Sequence, residues 1–422
     1  MIEVELGHYQ RYAEHVRENK VASGHRIHPT VFHQLSRHRG SAPLLPNLRI
    51  LACECGDDPA LQPVLFITPT LLRVTIKGLS TAHAAQDDRL ATFVDALAIH
   101  ALSLEYCAIG GGPMHPKLLT PMRRMQRLRS LKLTQCTFLP PPRLMAANEP
   151  VALRIWQLLA DIESLSSLDI DVDNFRSIPA AALNCPKACA KLKSFRLVGN
   201  LETSMNIIMM YALPASELSS LALYFQVSQV EKHRQLFSVI PSRFPHLRKL
   251  ELAAYPAHSW STGECSGFSD TRGLEEVDFT LADIITGLDD QELDELTHHW
   301  RKLTSFSLYY RTSSQHKRVP TLRWLAAFVR NCPNLIHLQL PICTRIVPWD
   351  LLEASKHRLK TIKLLECPAE VINTSQVARA LESLFPELDV HRRGESWTPK
   401  QWREVFQTMQ KLRAAQIAIR KL

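Results

Sequence analysis

No stretch of this 422-residue chain approaches the roughly 18 consecutive apolar residues that a membrane-spanning helix needs; the longest run lies near residues 207–213. An integral membrane protein is therefore excluded. The N-terminus, Met1-Ile2-Glu3-Val4-Glu5, carries acids where a secretory signal needs basic residues and then an apolar stretch. Ten cysteines in 422 residues are too sparse for a disulfide framework, and a reducing compartment would keep them as thiols. These absences point to a cytoplasmic or nuclear protein.

Catalytic signatures are lacking too. Gly110-Gly111-Gly112 has no following Lys-Ser/Thr, so it is no phosphate loop. There is no G-x-S-x-G elbow, H-E-x-x-H helix or kinase signature. The close cysteine pairs, Cys53-x-Cys55 and Cys185-x-x-x-Cys189, lack the second pair or the spaced histidines of a structural zinc site. His298-His299 and the scattered His25, His28, His33 and His38 stand without a supporting cysteine or carboxylate motif. No enzyme, no cofactor and no metal are expected.

What the chain has in excess is leucine, 61 of 422 residues, against only 14 glycines. The pattern L-x-x-L-x-L, with other apolar residues allowed at the leucine sites, starts at Leu48, Leu71, Ile99, Leu128, Leu165, Leu192, Leu218, Leu247, Leu274, Leu303, Leu335 and Leu359. Phe385/Leu388/Val390 makes a thirteenth. The starts recur about every 28 residues, the sequence signature of a leucine-rich repeat. Each L-x-L supplies a short strand whose alternate side chains share one face. A single unit cannot cover that face, so the units stack. The expected fold is an α/β leucine-rich-repeat solenoid of about 12–13 repeats, with a parallel concave sheet and convex helices.

Residues 88–99, 151–162, 231–240, 289–300, 321–330 and 375–384 read as the return helices, with apolar residues recurring at three and four. Several repeats enter the strand through a proline, as in Phe244-Pro245-His246-Leu247 and Cys332-Pro333-Asn334-Leu335, which ends the helix. Residues 108–122, 138–150 and 256–273 read as loop insertions at the repeat margins. The predicted organisation is an N-terminal helical cap over 1–43, with helices at 9–19 and 29–39, then the array over 44–396. A C-terminal amphipathic capping helix over 397–422 closes it. That helix starts at Thr398-Pro399-Lys400-Gln401, a capping box, and carries an apolar stripe of Trp402, Val405, Phe406, Met409 and Leu412. Lys411, Arg413, Arg420 and Lys421 sit where the helix dipole favours cations.

Cys107, Cys136, Cys343 and Cys367 each fall three places after the last apolar residue of a repeat, the slot for Asn or Cys, as does Asn200. Their role is structural. The informative surface is the concave one, made of the x positions of the motif. Over twelve repeats these 36 positions hold ten Lys or Arg and five Asp or Glu. The charges alternate in patches: Arg129 and Lys132, then Asp169, then Lys193 and Arg196, then Arg248 and Lys249, then Glu251, Glu275, Glu276 and Asp278. A nucleic-acid binder wants a continuous basic track with interleaved aromatics, and the acidic ninth repeat interrupts it despite a net charge of +9. Patches of alternating sign suit a protein partner, and these eleven residues are the candidate contacts; nucleic-acid binding through a basic surface is the alternative.

Arg11-Tyr12-Ala13-x-x-Val16-Arg17, Val31-Phe32-x-x-Leu35, Leu44-Leu45-Pro46-Asn47-Leu48-Arg49 and Thr68-Pro69-x-Leu71 resemble the segment that follows the F-box in leucine-rich-repeat F-box proteins of mushroom-forming fungi. The resemblance runs from about residue 9 over the rest of the chain. It implies that the repeats hold the substrate of a cullin ubiquitin ligase, whose F-box binds a Skp1-type adaptor. No L-P-x-E-(I/L) start with its helices precedes Tyr9, so the adaptor contact is expected only if an F-box lies upstream.

Overall fold

The computed structural model describes residues 12–21, 43–54, 62–78, 85–138, 151–171, 189–209, 213–214, 216–226, 230–255, 271–283, 290–311, 321–342, 355–365, 373–389 and 400–421. The chain forms two compact units. The first comprises residues 1–199 with 206–217, and the second 200–205 with 218–422.

The first unit carries β1 (Glu18–Val21), β2 (Ile50–Glu54), β3 (Arg73–Lys77), β4 (Tyr106–Met114), β5 (Ser130–Phe138), β6 (Ser167–Asp171) and β7 (Ser194–Asn200). The second carries β8 (Ser220–Gln226), β9 (Lys249–Tyr255), β10 (Glu276–Asp283), β11 (Ser305–Arg311), β12 (His337–Pro341) and β13 (Thr361–Leu365). In both units strand order is chain order and neighbours are parallel. The described helices are α1 (Ala85–His100), α2 (Val151–Ala160), α3 (Leu201–Met209), α4 (Val230–Arg243), α5 (Asp290–His298), α6 (Arg323–Asn331), α7 (Thr374–Leu384) and α8 (Lys400–Lys421). This is the α/β leucine-rich-repeat solenoid that the periodicity predicts.

Strand alternation sorts the side chains. In β7 the burial pattern alternates without a break, Phe195, Leu197 and Gly199 inward and the residues between them half-buried on the other side. The inward side packs on the helices. Trp156 of α2 meets Phe195 edge-on at 6.1 Å, and Phe328 of α6 lies 5.0 Å from Phe306 of β11. Each fully buried leucine or phenylalanine in this layer contributes on the order of 1.5–3 kcal/mol of transfer free energy. The opposite face carries the half-buried and exposed positions of the strands.

Two backbone features repeat and define the register. Ahead of the first motif leucine the chain makes a tight turn, as in Leu128 N to Met125 O (3.1 Å) and Leu335 N to Cys332 O (3.1 Å). The carbonyl of the next residue then accepts two amides from the following repeat. Arg129 O takes Ser166 N and Ser167 N at 2.8 and 2.9 Å, and Ser166 O takes Lys193 N and Ser194 N at 2.8 and 3.0 Å.

This register corrects the third repeat. Its marker bonds belong to Glu105 and Tyr106, both donating to Leu72 O, so the motif is Leu104/Cys107/Ile109 and not Ile99/Leu102/Leu104. Ile99 lies exposed in the last turn of α1 and Leu102 is 67% exposed. Cysteine at the central leucine site hid the true match. Cys107 is thus a core residue of β4 and not an occupant of the Asn/Cys slot. Cys136 does occupy that slot, with its thiol 3.5 Å from Ile109 O, while Cys343 and Cys367 lie outside the described residues.

The glycine run is strand as well, where a loop insertion over 108–122 was expected. Gly110 pairs with Thr134, and a Cβ there would come within 3.1 Å of the Thr134 hydroxyl. Gly111 has φ 85°, and Gln135 opposite has φ 55°, so both strands bulge together. The Gln135 amide, turned out of the ladder, donates to Asp171 Oδ2 at 3.2 Å. Short 3-10 turns at Pro116–Leu119 and Pro121–Arg124 fill the rest of that segment. The insertions at 138–150 and 256–273 lie almost wholly outside the described residues, although Thr271 is buried and takes the Trp300 Nε1 hydrogen bond at 3.3 Å.

At the N-terminal end, residues 12–15 form one helical turn, and the chain then enters β1, which pairs with β2. The helix expected over 9–19 is cut short because Arg17 O accepts the amides of Arg49 and Ile50, committing the next residues to the sheet. The helix expected over 29–39 lies outside the described residues. At the other end Asp389 N bonds Lys360 O at 2.8 Å, so a thirteenth motif enters in register, with Phe385 and Leu388 buried. Helix α8 buries Trp402, Val405 and Met409, while Phe406 and Leu412 are half-buried. Arg413 does not serve the helix dipole. It turns to α7, binding both oxygens of Glu382 at 2.8–2.9 Å and donating to Leu388 O at 2.7 Å and Pro386 O at 3.1 Å.

Candidate partner-binding face

The x positions of the motif reach the open face because they alternate with the buried leucines. Register then decides which of them become neighbours. In the first unit Ser130, Ser167 and Ser194 stand in one row, and Lys132, Asp169 and Arg196 in the next. Lys132 Nζ lies 2.7 Å from Asp169 Oδ2, and Arg196 Nη1 lies 2.9 Å from Oδ1. One carboxylate, its side chain only 16% exposed, is thus clamped between two cations from the strands on either side. Arg129 and Lys193 occupy the row before the serines and are exposed.

In the second unit Lys249 and Glu276 are cross-strand partners with Nζ 2.8 Å from Oε2, and Arg248 Nη1 stands 3.6 Å from Glu275 Oε1. Glu251 pairs across the ladder with Asp278 and accepts the hydroxyl of Tyr224. The Asp278 carboxyl is pushed above the usual carboxylate range, first by burial and then by the Glu251 charge; Ser307, Lys249 and Thr280 act in the opposite sense. The Lys249 ammonium is raised chiefly by its hydrogen bond to Glu276. Three carboxylates therefore gather around one ammonium.

The eleven candidate residues fall into these two clusters, five in the first unit and six in the second. Sequence reasoning missed Glu105 and Tyr106, which the wrong third register displaced, and Tyr224 and Tyr309, which extend the open face beyond the six-residue motif. Both tyrosines stand one residue past the last leucine of their motifs, Leu223 and Leu308. Tyr309 is 39% exposed.

Cys107, Cys136, Cys189 and Cys332 are buried, and burial pushes each thiol up to about 12. Such thiols stay protonated and are poor nucleophiles and ligands. Among the described residues no group of three or more His, Cys, Asp or Glu could hold a metal ion, and no helix is long and apolar enough to cross a membrane. His298 and His299 only stack edge-on, at 5.7 Å.

By its repeats and its strand order, the chain has the α/β leucine-rich-repeat solenoid fold. No protein-family model matches it, and no curated protein matches it. Similar solved structures include the TLR13–ssRNA13 complex, at 16% identity and a TM-score of 0.41, over 82% of this chain and 49% of that one. An internalin, inlF, from Listeria monocytogenes is similar at 11% identity and a TM-score of 0.33, over 85% and 93% of the two chains. The yeast complex of Rad7 and Elc1 is similar at 15% identity and a TM-score of 0.40, over 85% and 80%. The chain spans about half the length of the first of these.

Proposed function

We propose that the chain is a protein-interaction scaffold that holds a partner on the open face of its sheet and performs no catalysis of its own. The observation that carries this reading is the charge pattern of that face: clustered, sign-alternating residues on a rigid strand lattice, with its helix-facing side filled by apolar side chains. Fixed charges of this kind set register and association rate for a complementary protein surface. The strand backbone that carries them is fixed by its ladder hydrogen bonds, so the ordering cost on binding falls on the side chains alone.

The finer reading is a substrate receptor of an F-box-type ubiquitin ligase, with a Skp1-type adaptor as second partner if an F-box lies upstream. It rests on the resemblance of the motifs around Tyr12, Pro46 and Pro69. We further propose that residues 397–422 cap the array, as the Arg413 contacts support, and that residues 1–43 cover its first strands.

Two pairs of charge reversals test the scaffold reading: Arg129→Glu with Lys193→Glu in the first unit, and Glu275→Lys with Glu276→Lys in the second. All four side chains are exposed or half-exposed, and losing the surface pairs with Arg248 and Lys249 should cost no more than about 1 kcal/mol each, which circular dichroism on each variant checks. Quantitative affinity purification should show at least one pair weakening recovery of a partner that wild type retains. Equal recovery by all variants would sink the reading. Co-purification of Skp1 and a cullin with chain extended by its upstream coding sequence tests the ligase role.

A further inference from the structure

Two positions precede the first motif leucine of each repeat, on the turn that enters the strand. Across the five turns before Leu247, Leu274, Leu303, Leu335 and Leu359 these ten positions hold Arg272, Arg301, Lys302 and Arg358, together with His246, and no Asp or Glu. In the earlier turns, from Leu48 to Leu218, the same positions hold two cations, Arg127 and Lys191, and two acids, Glu163 and Glu217. All four Lys and Arg side chains of the later turns are exposed, and among the described residues none of them is in an ion pair or a hydrogen bond. The position just after the leucine adds Arg248 and Lys360 and one acid, Glu275, whose Oε1 is already 3.6 Å from Arg248 Nη1. These turns are tied to one another and to the core. The Leu247, Leu303 and Leu335 amides bond the Phe244, Trp300 and Cys332 carbonyls at 3.1, 3.0 and 3.1 Å. Asn334 Nδ2 donates to Arg301 O at 3.1 Å, and Trp300 Nε1 to Thr271 Oγ1 at 3.3 Å. His357 fixes the last turn by accepting from Leu359 N at 3.2 Å. Cations of one sign therefore line one margin of the second unit on a fixed backbone.

We propose that this margin is a second docking surface, which takes an extended acidic segment of a protein partner. It is separate from the sheet face of the scaffold reading and goes beyond it. Neighbouring strands are about 4.8 Å apart, so the band from Arg272 to Arg358 runs roughly 14 Å, and roughly 19 Å with His246, the reach of about six extended residues at about 3.3 Å each. Carboxylates spaced along such a segment meet cations with no acid of this chain between them, and the complementary charge steers the encounter. The band ends where the turn before Leu388 carries Glu387. A nucleic-acid strand is disfavoured, because none of the ten positions is aromatic and bases would find no stacking platform.

The test separates a local band from net charge. In the full-length chain, fluorescence anisotropy with fluorescein-labelled octaglutamate at low ionic strength, where attraction is least screened, should show binding to wild type. Arg301→Gln with Lys302→Gln should weaken it by about tenfold or more. Arg127→Gln with Lys191→Gln removes the same charge from the same turn positions in the first unit and should change binding by less than about twofold. Should the Arg301 and Lys302 pair fold poorly by circular dichroism, Arg272→Gln with Arg358→Gln gives the same readout. The inference is overturned if octaglutamate does not bind wild type, if the pairs from the two units lose binding equally, or if labelled octauridylate binds wild type more tightly than octaglutamate. Release of a natural partner by the charge reversals on the sheet face, together with silence toward octaglutamate, would leave the scaffold reading standing and remove this one.

Discussion

Arg413→Ala is the most discriminating perturbation of the architecture, because one guanidinium joins α8 to α7 and to the entering thirteenth motif. Its Nε binds both oxygens of Glu382, and its two terminal nitrogens donate to the carbonyls of Leu388 and Pro386. The side chains are 23% and 15% exposed. Removing one member of a fully buried pair costs roughly 3–5 kcal/mol, and residual hydration here lowers the expectation to about 2–3 kcal/mol. Arg413→Lys keeps the charge but not the planar fork, and should lose about half as much. Repeats contact only their neighbours, so the loss is local to this end. Hydrogen exchange of the α7 amides, residues 374–384, should accelerate by about 30- to 150-fold in Arg413→Ala. A cycle with Glu382→Ala should return a coupling of at least about 1 kcal/mol. Exchange within about twofold of wild type would refute the view that this contact holds the cap.

Other outcomes follow from the same geometry. His357 is buried, its Nε2 hydrogen-bonds Cys332 O at 2.8 Å and its Nδ1 accepts from Leu359 N at 3.2 Å, replacing the turn that precedes the other motifs. Burial lowers its pKa against the opposing pull of the Cys332 carbonyl. The neutral ring's contribution is present above the unfolded value of about 6.5 and is lost as pH falls through the folded one, so urea midpoints from pH 7 to 5 should drop more for wild type than for His357→Asn. Iodoacetamide should leave Cys107, Cys136, Cys189 and Cys332 unlabelled in native protein and label them on unfolding, as mass spectrometry will show; rapid native labelling would contradict their burial. Gly111→Ala, at φ 85°, should destabilise by about 1–2 kcal/mol in urea unfolding, whereas an unchanged midpoint would refute the paired bulge.

Much of the lattice was legible because the two periods that write it, two along a strand and about 28 between strands, are carried by buried leucines that nothing else explains. The return helices at 88–99, 151–162 and 321–330 were legible for the same reason, since apolar spacing reports the face that packs. Reading failed where a residue did two jobs. Cys107 fills a leucine site, so the third motif slid five residues toward the helix. Gly110 and Gly111 look like loop but serve a strand that approaches its neighbour closely and bulges. Glu18-Asn19-Lys20-Val21 has no leucine pattern, and β1 exists because β2 offers it an edge.

The sequence by itself determined the repeat, the parallel strand order and which side chains face away from the core, since covalent spacing and alternation suffice for these. The tertiary structure decided which charges meet. Lys132, Asp169 and Arg196 are separated along the chain by return segments of unequal length, and only hydrogen-bonded register places the carboxylate between its two cations while leaving a serine between Arg129 and Lys193. Electrostatic energy depends on distance across strands, and the chain's own order does not contain that distance.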